Sequence, residues 1–229
     1  MDPAMNAVTV VNDITVVIAD DERMVRTALR VILEAEPDMT VVGEASTGAE
    51  AVSVVRARRP DIVLMDVRMP EIDGIRATEQ ILGSPGPGPV PRVVVVTTFE
   101  NDSYVYDALR AGASGFLLKR VAAEDLVRAV RLVARSDSLL YPAAVRGLAA
   151  EYTRRHPPAP RWASRLTERE ADVLRLMATG LTNAEIAGRL GVGPATAKSH
   201  VAAVLAKTGA RDRTQAVIAA YESGFISPR

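Results

Sequence analysis

The sequence predicts an α/β doubly wound five-stranded parallel sheet followed by a small all-α helix-turn-helix domain. Three observations carry this. Over residues 13–135, five short β-branched apolar runs alternate with five amphipathic helical stretches, the pattern of a parallel sheet covered on both faces. Past the cluster Pro157-Pro158-Ala159-Pro160 the pattern becomes helical only. The charge changes there too: residues 1–164 hold 19 basic and 22 acidic side chains, residues 165–229 nine and six. An acidic unit thus precedes a basic one suited to a polyanion.

The expected strands are Thr15–Ala19, Met39–Ala45, Ile62–Met65, Arg92–Thr97 and Gly115–Leu118. The intervening helices are Glu22–Ala35, Gly48–Arg58, Gly74–Leu82, Asp102–Ala111 and Ala123–Ala134. Gly83–Pro91 reads as a Pro/Gly connector. Residues 136–164 read as a helix over Leu139–Thr153 and a semi-rigid Pro-rich linker. In the domain over residues 165–229, Thr167-x-x-Glu170, Thr182-x-x-Glu185 and Asp212-x-x-Gln215 are capping-box patterns that start helices. Gly193-Pro194 offers a Gly N-cap with Pro at the first helical position. Gly180, Gly191, Gly209 and Gly224 sit where helix ends call for positive φ.

Composition excludes several chemistries. The 229-residue chain is 48% apolar and 24% charged, a globular balance. With no cysteine, disulfides, a thiolate nucleophile and Cys-ligated zinc are excluded. His156 and His200 are the only histidines, too few for a multi-His metal centre. No apolar run approaches the ~18 residues of a membrane span, and no signal sequence opens the chain. The expectation is a cytoplasmic protein with no membrane partner and a short ragged lead over Met1–Asn12.

Asp20 and Asp21 follow the first strand, Asp66 ends the third, Thr97 and Thr98 the fourth, and Lys119 follows the fifth. All fall at the carboxyl edge, where open α/β sheets bind ligands. Three converging carboxylates repel and call for a cation, and all-oxygen ligation suits Mg²⁺. A lysine there can grip a phosphate oxygen and a threonine hydroxyl another. One carboxylate could then attack phosphorus in line and form an acyl phosphate. Asp61 and Asp73 read as ordinary turn or cap residues.

The segments VVIADDERMVRTALRVIL, IVLMDVRMPEIDGI, VVVVTTF and ALRAGASGFLLK closely resemble the receiver domain of bacterial two-component response regulators, over about residues 14–135. The resemblance implies a receiver of flavodoxin-like fold with Asp66 as phosphoacceptor. It implies Mg²⁺ held by Asp20, Asp21, Asp66 and the Arg68 backbone carbonyl. Thr97 becomes the switch hydroxyl, Lys119 the phosphate-gripping cation and Phe116 the switch aromatic, a position that ordinary core packing explains equally well. Arg120 follows Lys119 where many receivers have proline, which weakens the expectation of a cis peptide there.

In the basic domain, a helix over Asn183–Leu190, a turn at Gly191-Val192-Gly193 and a helix over Pro194–Lys207 form a helix-turn-helix. Val201, Val204 and Leu205 fall on its core side; Lys198, Ser199, Ala202 and Ala206 fall opposite. Small residues suit entry into a major groove. Thr196, Lys198, Lys207, Arg211 and Arg213 are candidates for phosphate contact. The run from Leu166 to Ile226 resembles the LuxR-type DNA-binding domain, and the pairing with a receiver resembles a NarL/FixJ-type response regulator. Lys119, Lys198 and Lys207, the chain's only lysines, all fall where these families contact phosphate or DNA. Ala202 shifts base readout to Lys198 and Ser199, and His200 reads as a structural helix residue.

The implied function is transcription regulation: a partner sensor histidine kinase phosphorylates Asp66, and a homodimer then binds double-stranded promoter DNA. The last helix, Asp212–Ser223, is a candidate second dimer contact because its apolar residues exceed what a four-helix core needs, although simple core packing explains them equally well. Two rivals stand beside this reading. A phosphohydrolase would want an acid two residues past the nucleophile, where this chain has Arg68. A receiver turned phosphorylation-independent would not need the intact acid set.

Phe99, two residues past the switch threonine, cannot hold a hydrolytic water by hydrogen bonding, so slow self-dephosphorylation is expected. Phe99→Glu should shorten the phosphoryl half-life measured by intact mass over time; an unchanged half-life contradicts this.

Overall fold

The computed structural model describes residues 13–84, 88–98, 102–135, 145 and 162–227. Five strands, β1 (Ile14–Ala19), β2 (Met39–Ala45), β3 (Ile62–Asp66), β4 (Arg92–Thr97) and β5 (Gly115–Leu118), form one sheet in the order β2-β1-β3-β4-β5. Every pairing is parallel. The alternating helices are α1 (Arg23–Glu34), α2 (Gly48–Arg58), α3 (Gly74–Gly83), α4 (Asp102–Ala111) and α5 (Ala123–Arg135). This is the doubly wound sheet expected.

The side-chain period of two divides the β-branched strands between two cores. Val16, Ile18, Leu64, Val94, Val96 and Leu117 join Leu33 of α1 and Leu126 and Val130 of α5 on one face. On the other, Val17, Ala19, Val63, Met65 and Val93 join Ala51 and Val55 of α2 and Ala77 and Ile81 of α3. With both faces covered, β3 reads as a continuous apolar run up to its terminal aspartate. Asp61 and Asp73 do what short acids do at turns. Asp61 accepts from the Thr15 amide and hydroxyl, and Asp73 caps α3 by accepting from the Arg76 amide.

The second unit has four helices after a 3₁₀ turn at Ala163–Arg165: α6 (Glu168–Ala178), α7 (Asn183–Leu190), α8 (Pro194–Thr208) and α9 (Arg213–Glu222). Thr167 and Glu170 close a full capping box on α6, and Thr182 and Glu185 close one on α7. Gly193 is the N-cap of α8. At α9 only half of the box forms: Asp212 accepts from the Gln215 amide, but the Gln215 side chain is turned elsewhere. Gly191 and Gly209 end α7 and α8 in the left-handed region. The half-buried Trp162 stacks at a tilt on Phe225, ring centres 5.3 Å apart.

The expected helix over Leu139–Thr153 lies outside the described residues except for Val145, which is helical and buried. The Pro-rich linker, the lead Met1–Asn12 and Phe99 also lie outside them. All described peptide bonds are trans, the one before Arg120 included.

Gly74 opens α3 directly behind the end of β3, where a Cβ would overlap the Asp66 carbonyl oxygen. Gly74→Ala should therefore cost about 1–3 kcal/mol, as overpacking does elsewhere, read as a lower midpoint in urea unfolding.

Candidate functional site: an acidic pocket and a DNA-reading helix

The carboxyl ends of β1, β3 and β5 bring the predicted acids and lysine together. Asp20, Asp21 and Asp66 each place a carboxylate oxygen within 4.8 Å of the others. Asp20 is 1% and Asp66 5% exposed, whereas Asp21 faces solvent. Lys119 Nζ lies 2.8 Å from Asp20 Oδ2 and 3.4 Å from Asp66 Oδ2. Its backbone amide donates to the Thr97 carbonyl (2.8 Å), so the β4–β5 ladder sets its position. Thr97 is buried at the end of β4. Phe116 is half-buried on β5, in register with Val95 of β4. Arg68 is exposed, and its guanidinium sits over the Tyr104 ring of α4 at 5.6 Å.

Two residues of the pocket went unnoticed in the sequence. Glu22 stands at the N-cap position of α1 without a side-chain capping bond; its carboxylate is 3.4 Å from Lys119 Nζ and its amide donates to Asp20 Oδ1 (2.9 Å). Arg26 is a positioning residue for the acid pair. Its Nη1 donates to the backbone carbonyls of Asp20 (2.7 Å) and Asp21 (3.2 Å). Glu44 at the end of β2 holds Arg26 in turn at 3.3 Å, and also binds Arg30 Nε at 2.6 Å. The available signal was spacing: Arg26 lies one turn into α1 from Glu22, and helical side chains lean back toward the N-terminus.

Burial sets the electrostatics of the pocket. It pushes Asp66 up from 3.8 to about 6; Lys119 opposes the shift and the charge of Asp20 adds to it. Burial works against the Lys119 ammonium, but Asp20, Asp66 and Glu22 outweigh it and raise its pKa. Lys119 is an ion-pair partner to Asp20 Oδ2, yet no well-aligned hydrogen bond reaches that buried oxygen. A buried carboxylate oxygen without a hydrogen bond, facing two further carboxylates, fits a hard cation that takes oxygen ligands.

On the second unit, Thr196, Lys198, Ser199 and Ala202 are exposed along α8, with Ala195 and Ala206 beside them. Val201 and Val204 are buried, as the helical period requires. Three expected phosphate contacts are engaged elsewhere. Lys207 Nζ pairs with both oxygens of Glu170 (2.7 and 2.6 Å), tying α8 to α6. Arg211 donates to the Leu82 carbonyl of α3 (3.4 Å). Arg213 is a correction: only 2% exposed, it donates to the Leu181 carbonyl and to Asn183 Oδ1, so it is structural and does not face DNA.

The raised Asp66 pKa has a sign in stability. A carboxyl raised in the folded state binds its proton more tightly there than when unfolded. Its contribution is full below the unfolded value near 3.8 and is lost as pH rises through about 6. In EDTA, Asp66→Asn should therefore raise the thermal midpoint relative to wild type more at about pH 7.5 than at about pH 4.5. Equal differences at both pH values would mean that Asp66 titrates normally.

Comparison with known proteins agrees with this geometry. The family model for the response regulator receiver domain matches residues 16–131, and that for bacterial regulatory proteins of the luxR family matches residues 164–220. The uncharacterized transcriptional regulatory protein YxjL of Bacillus subtilis is 39% identical over 215 residues, 93% of this chain and 97% of that protein. The response regulator protein VraR of Staphylococcus aureus is 37% identical over 213 residues, 93% of this chain and 99% of its own. Among solved structures, the signal receiver domain of the putative response regulator NarL from Mycobacterium tuberculosis is 34% identical with a TM-score of 0.51, covering 54% of this chain and 98% of that one. With an acidic pocket on a five-stranded parallel sheet and a helix-turn-helix of matching type behind it, the chain belongs to the response regulators that join a receiver domain to a LuxR-type DNA-binding domain and regulate transcription.

Proposed function

We propose that Asp66 is the phosphoacceptor and that its phosphorylation by a partner histidine kinase controls binding of promoter DNA in the cytoplasm. The observation that carries this is the convergence of Asp20, Asp21, Asp66 and Lys119 at one sheet edge, with Lys119 within ion-pair distance of two of the acids. Asp20, Asp21, Asp66 and the Arg68 carbonyl would hold Mg²⁺, which supplies neutralisation of the phosphoryl oxygens when bound.

The chain's own residues do the rest. An ionised Asp66 oxygen attacks phosphorus; an O–P bond forms as the N–P bond of the kinase phosphohistidine breaks, and the imidazole leaves. With a pKa of about 6, Asp66 is largely ionised at neutral pH. Lys119 exchanges part of its contact with Asp66 for a phosphoryl oxygen, and the Thr97 hydroxyl donates to another. Arg26 and Glu22 keep the Asp20–Asp21 backbone in place throughout. Drawing Thr97 and Lys119 toward the phosphoryl group pulls on β4 and β5, and hence on Phe116 and α4. On the second unit, Lys198 and Ser199 read bases in the major groove, Thr196 meets phosphate, and Ala202 permits close approach. Lys207 and Arg211 become phosphate contacts only by leaving Glu170 and the receiver.

Incubation with Mg²⁺ and a small acyl-phosphate donor should add one phosphoryl group by intact mass. The addition should vanish in EDTA or in Asp66→Asn. A phosphoryl group retained by Asp66→Asn would move the acceptor elsewhere.

A further inference from the structure

The acid pair that follows β1 is pinned through its backbone. The Asp20 amide donates to the Ala45 carbonyl at the end of β2 (3.1 Å). Arg26 Nη1 donates to the carbonyls of both Asp20 and Asp21. The Glu22 amide fixes the Asp20 carboxylate itself through Oδ1. The Arg26 side chain is only 14% exposed, so the clamp belongs to the packed edge of the sheet.

An irregularity in the β1–β2 ladder aims the brace behind Arg26. Val16 pairs with Val41 but Val17 pairs with Gly43, so β2 carries one extra residue. Without it, Glu44 would stand opposite Ala19 and point to the face covered by α2 and α3. With it, Glu44 stands opposite Ile18, whose face is the one α1 covers. Gly43 suits the bulge, because a Cβ there would fall 2.6 Å from a Val54 methyl of α2. The two oxygens of Glu44 are then divided. Oε2 accepts from Arg26 Nε (3.3 Å) and Oε1 from Arg30 Nε (2.6 Å), while Arg30 Nη1 donates to Glu34 one turn on (2.8 Å).

Rigidity of this kind discriminates between hard cations. Mg²⁺ asks for near-octahedral oxygens at about 2.0–2.1 Å, whereas Ca²⁺ takes roughly six to eight at about 2.3–2.6 Å in flexible geometry. Acids held from behind cannot spread to the longer distance or admit the extra ligands. We propose that Arg26, braced by Glu44, is the specificity-determining positioning residue that makes the acidic pocket select Mg²⁺ over Ca²⁺. The charge of Arg26 works the other way, since a guanidinium behind the pair opposes any cation. Geometry and charge therefore predict opposite signs for Mg²⁺ when Arg26 is replaced. The inference rests on the reading of the pocket as a metal site.

The test follows the thermal midpoint of the metal-stripped full-length chain as MgCl₂ or CaCl₂ is added, because a ligand of the folded state raises it according to concentration over Kd. Each variant is its own reference, so stability lost by a substitution cancels in the ratio of the Ca²⁺ Kd to the Mg²⁺ Kd. Wild type should favour Mg²⁺. Arg26→Lys keeps the charge but cannot span two carbonyls while holding Glu44. It should weaken Mg²⁺ binding about tenfold, the scale of residues that orient metal ligands. Ca²⁺ binding should stay within about twofold, so the ratio falls about fivefold or more. Arg26→Met should lower the ratio likewise, and Glu44→Ala in part. Arg30→Met leaves Glu44 to Arg26 alone and should keep the wild-type ratio. Tighter binding of both metals by Arg26→Met would overturn the inference, because Arg26 would then act only as a repelling charge. An unchanged ratio in both Arg26 variants, or a wild type that prefers Ca²⁺, would overturn it too. A wild type that responds to neither metal would overturn the metal reading along with it.

Discussion

Crowding of like charge at the carboxyl edge of the sheet is the constraint to which the receiver is fitted. Three carboxylates within 4.8 Å repel one another, and two of them are almost removed from water. Such a cluster persists only if the chain fixes it from outside. Lys119 supplies the opposing charge, placed by the β4–β5 ladder. Arg26, braced by Glu44, grips the carbonyls of the Asp20–Asp21 pair. On the far side, Gly74 lets α3 start against the Asp66 carbonyl. Each support comes from a different element, so distortion of the sheet edge is felt by the acids, and a change at the acids by the edge.

Features governed by local rules were legible in the sequence. Strand and helix positions follow from hydrophobic period, helix starts from the Thr-x-x-Glu patterns, and Asp61 and Asp73 from the turn chemistry of short acids. Placing the acids at strand ends followed from topology, and the structure brings Asp20, Asp21, Asp66 and Lys119 together there. Features that depend on a distant partner were not legible. Lys207, Arg211 and Arg213 look alike as basic residues near a DNA-reading helix. Yet one is held by Glu170, one reaches the Leu82 carbonyl and one is buried. Sequence reports their charge and not what faces it. Arg26 was missed for the same reason, since period assigns a helix face but does not say which backbone carbonyls lie beneath it.

Gln215 shows how a local rule yields to a tertiary one. A glutamine three residues after an aspartate N-cap ordinarily reaches back to its own helix start. Here the carbonyl of Leu109, which also accepts from the Gly112 amide, and that of Ala113 just past α4 both face the Gln215 amide group. The amide group makes two bonds across the units in place of one return bond at α9. The apolar contacts follow the same route: Val105, Leu109, Ala113 and Val95 of the receiver fall in one buried cluster with Val173, Met177, Val217 and Ile218. The two units therefore share a core.

The chain's lone tryptophan, Trp162, lies at the entry to the DNA-binding unit, against Phe225 near its other end. Arg175 sits 5.4 Å over that same phenylalanine ring, so charge and packing in this corner both bear on the indole. The receiver contains no indole at all. Excitation at the red edge of aromatic absorption thus interrogates one unit and leaves the other dark. Any change in that emission on loading the acidic pocket has crossed the boundary between the units, which makes the native protein its own optical gauge of communication between them.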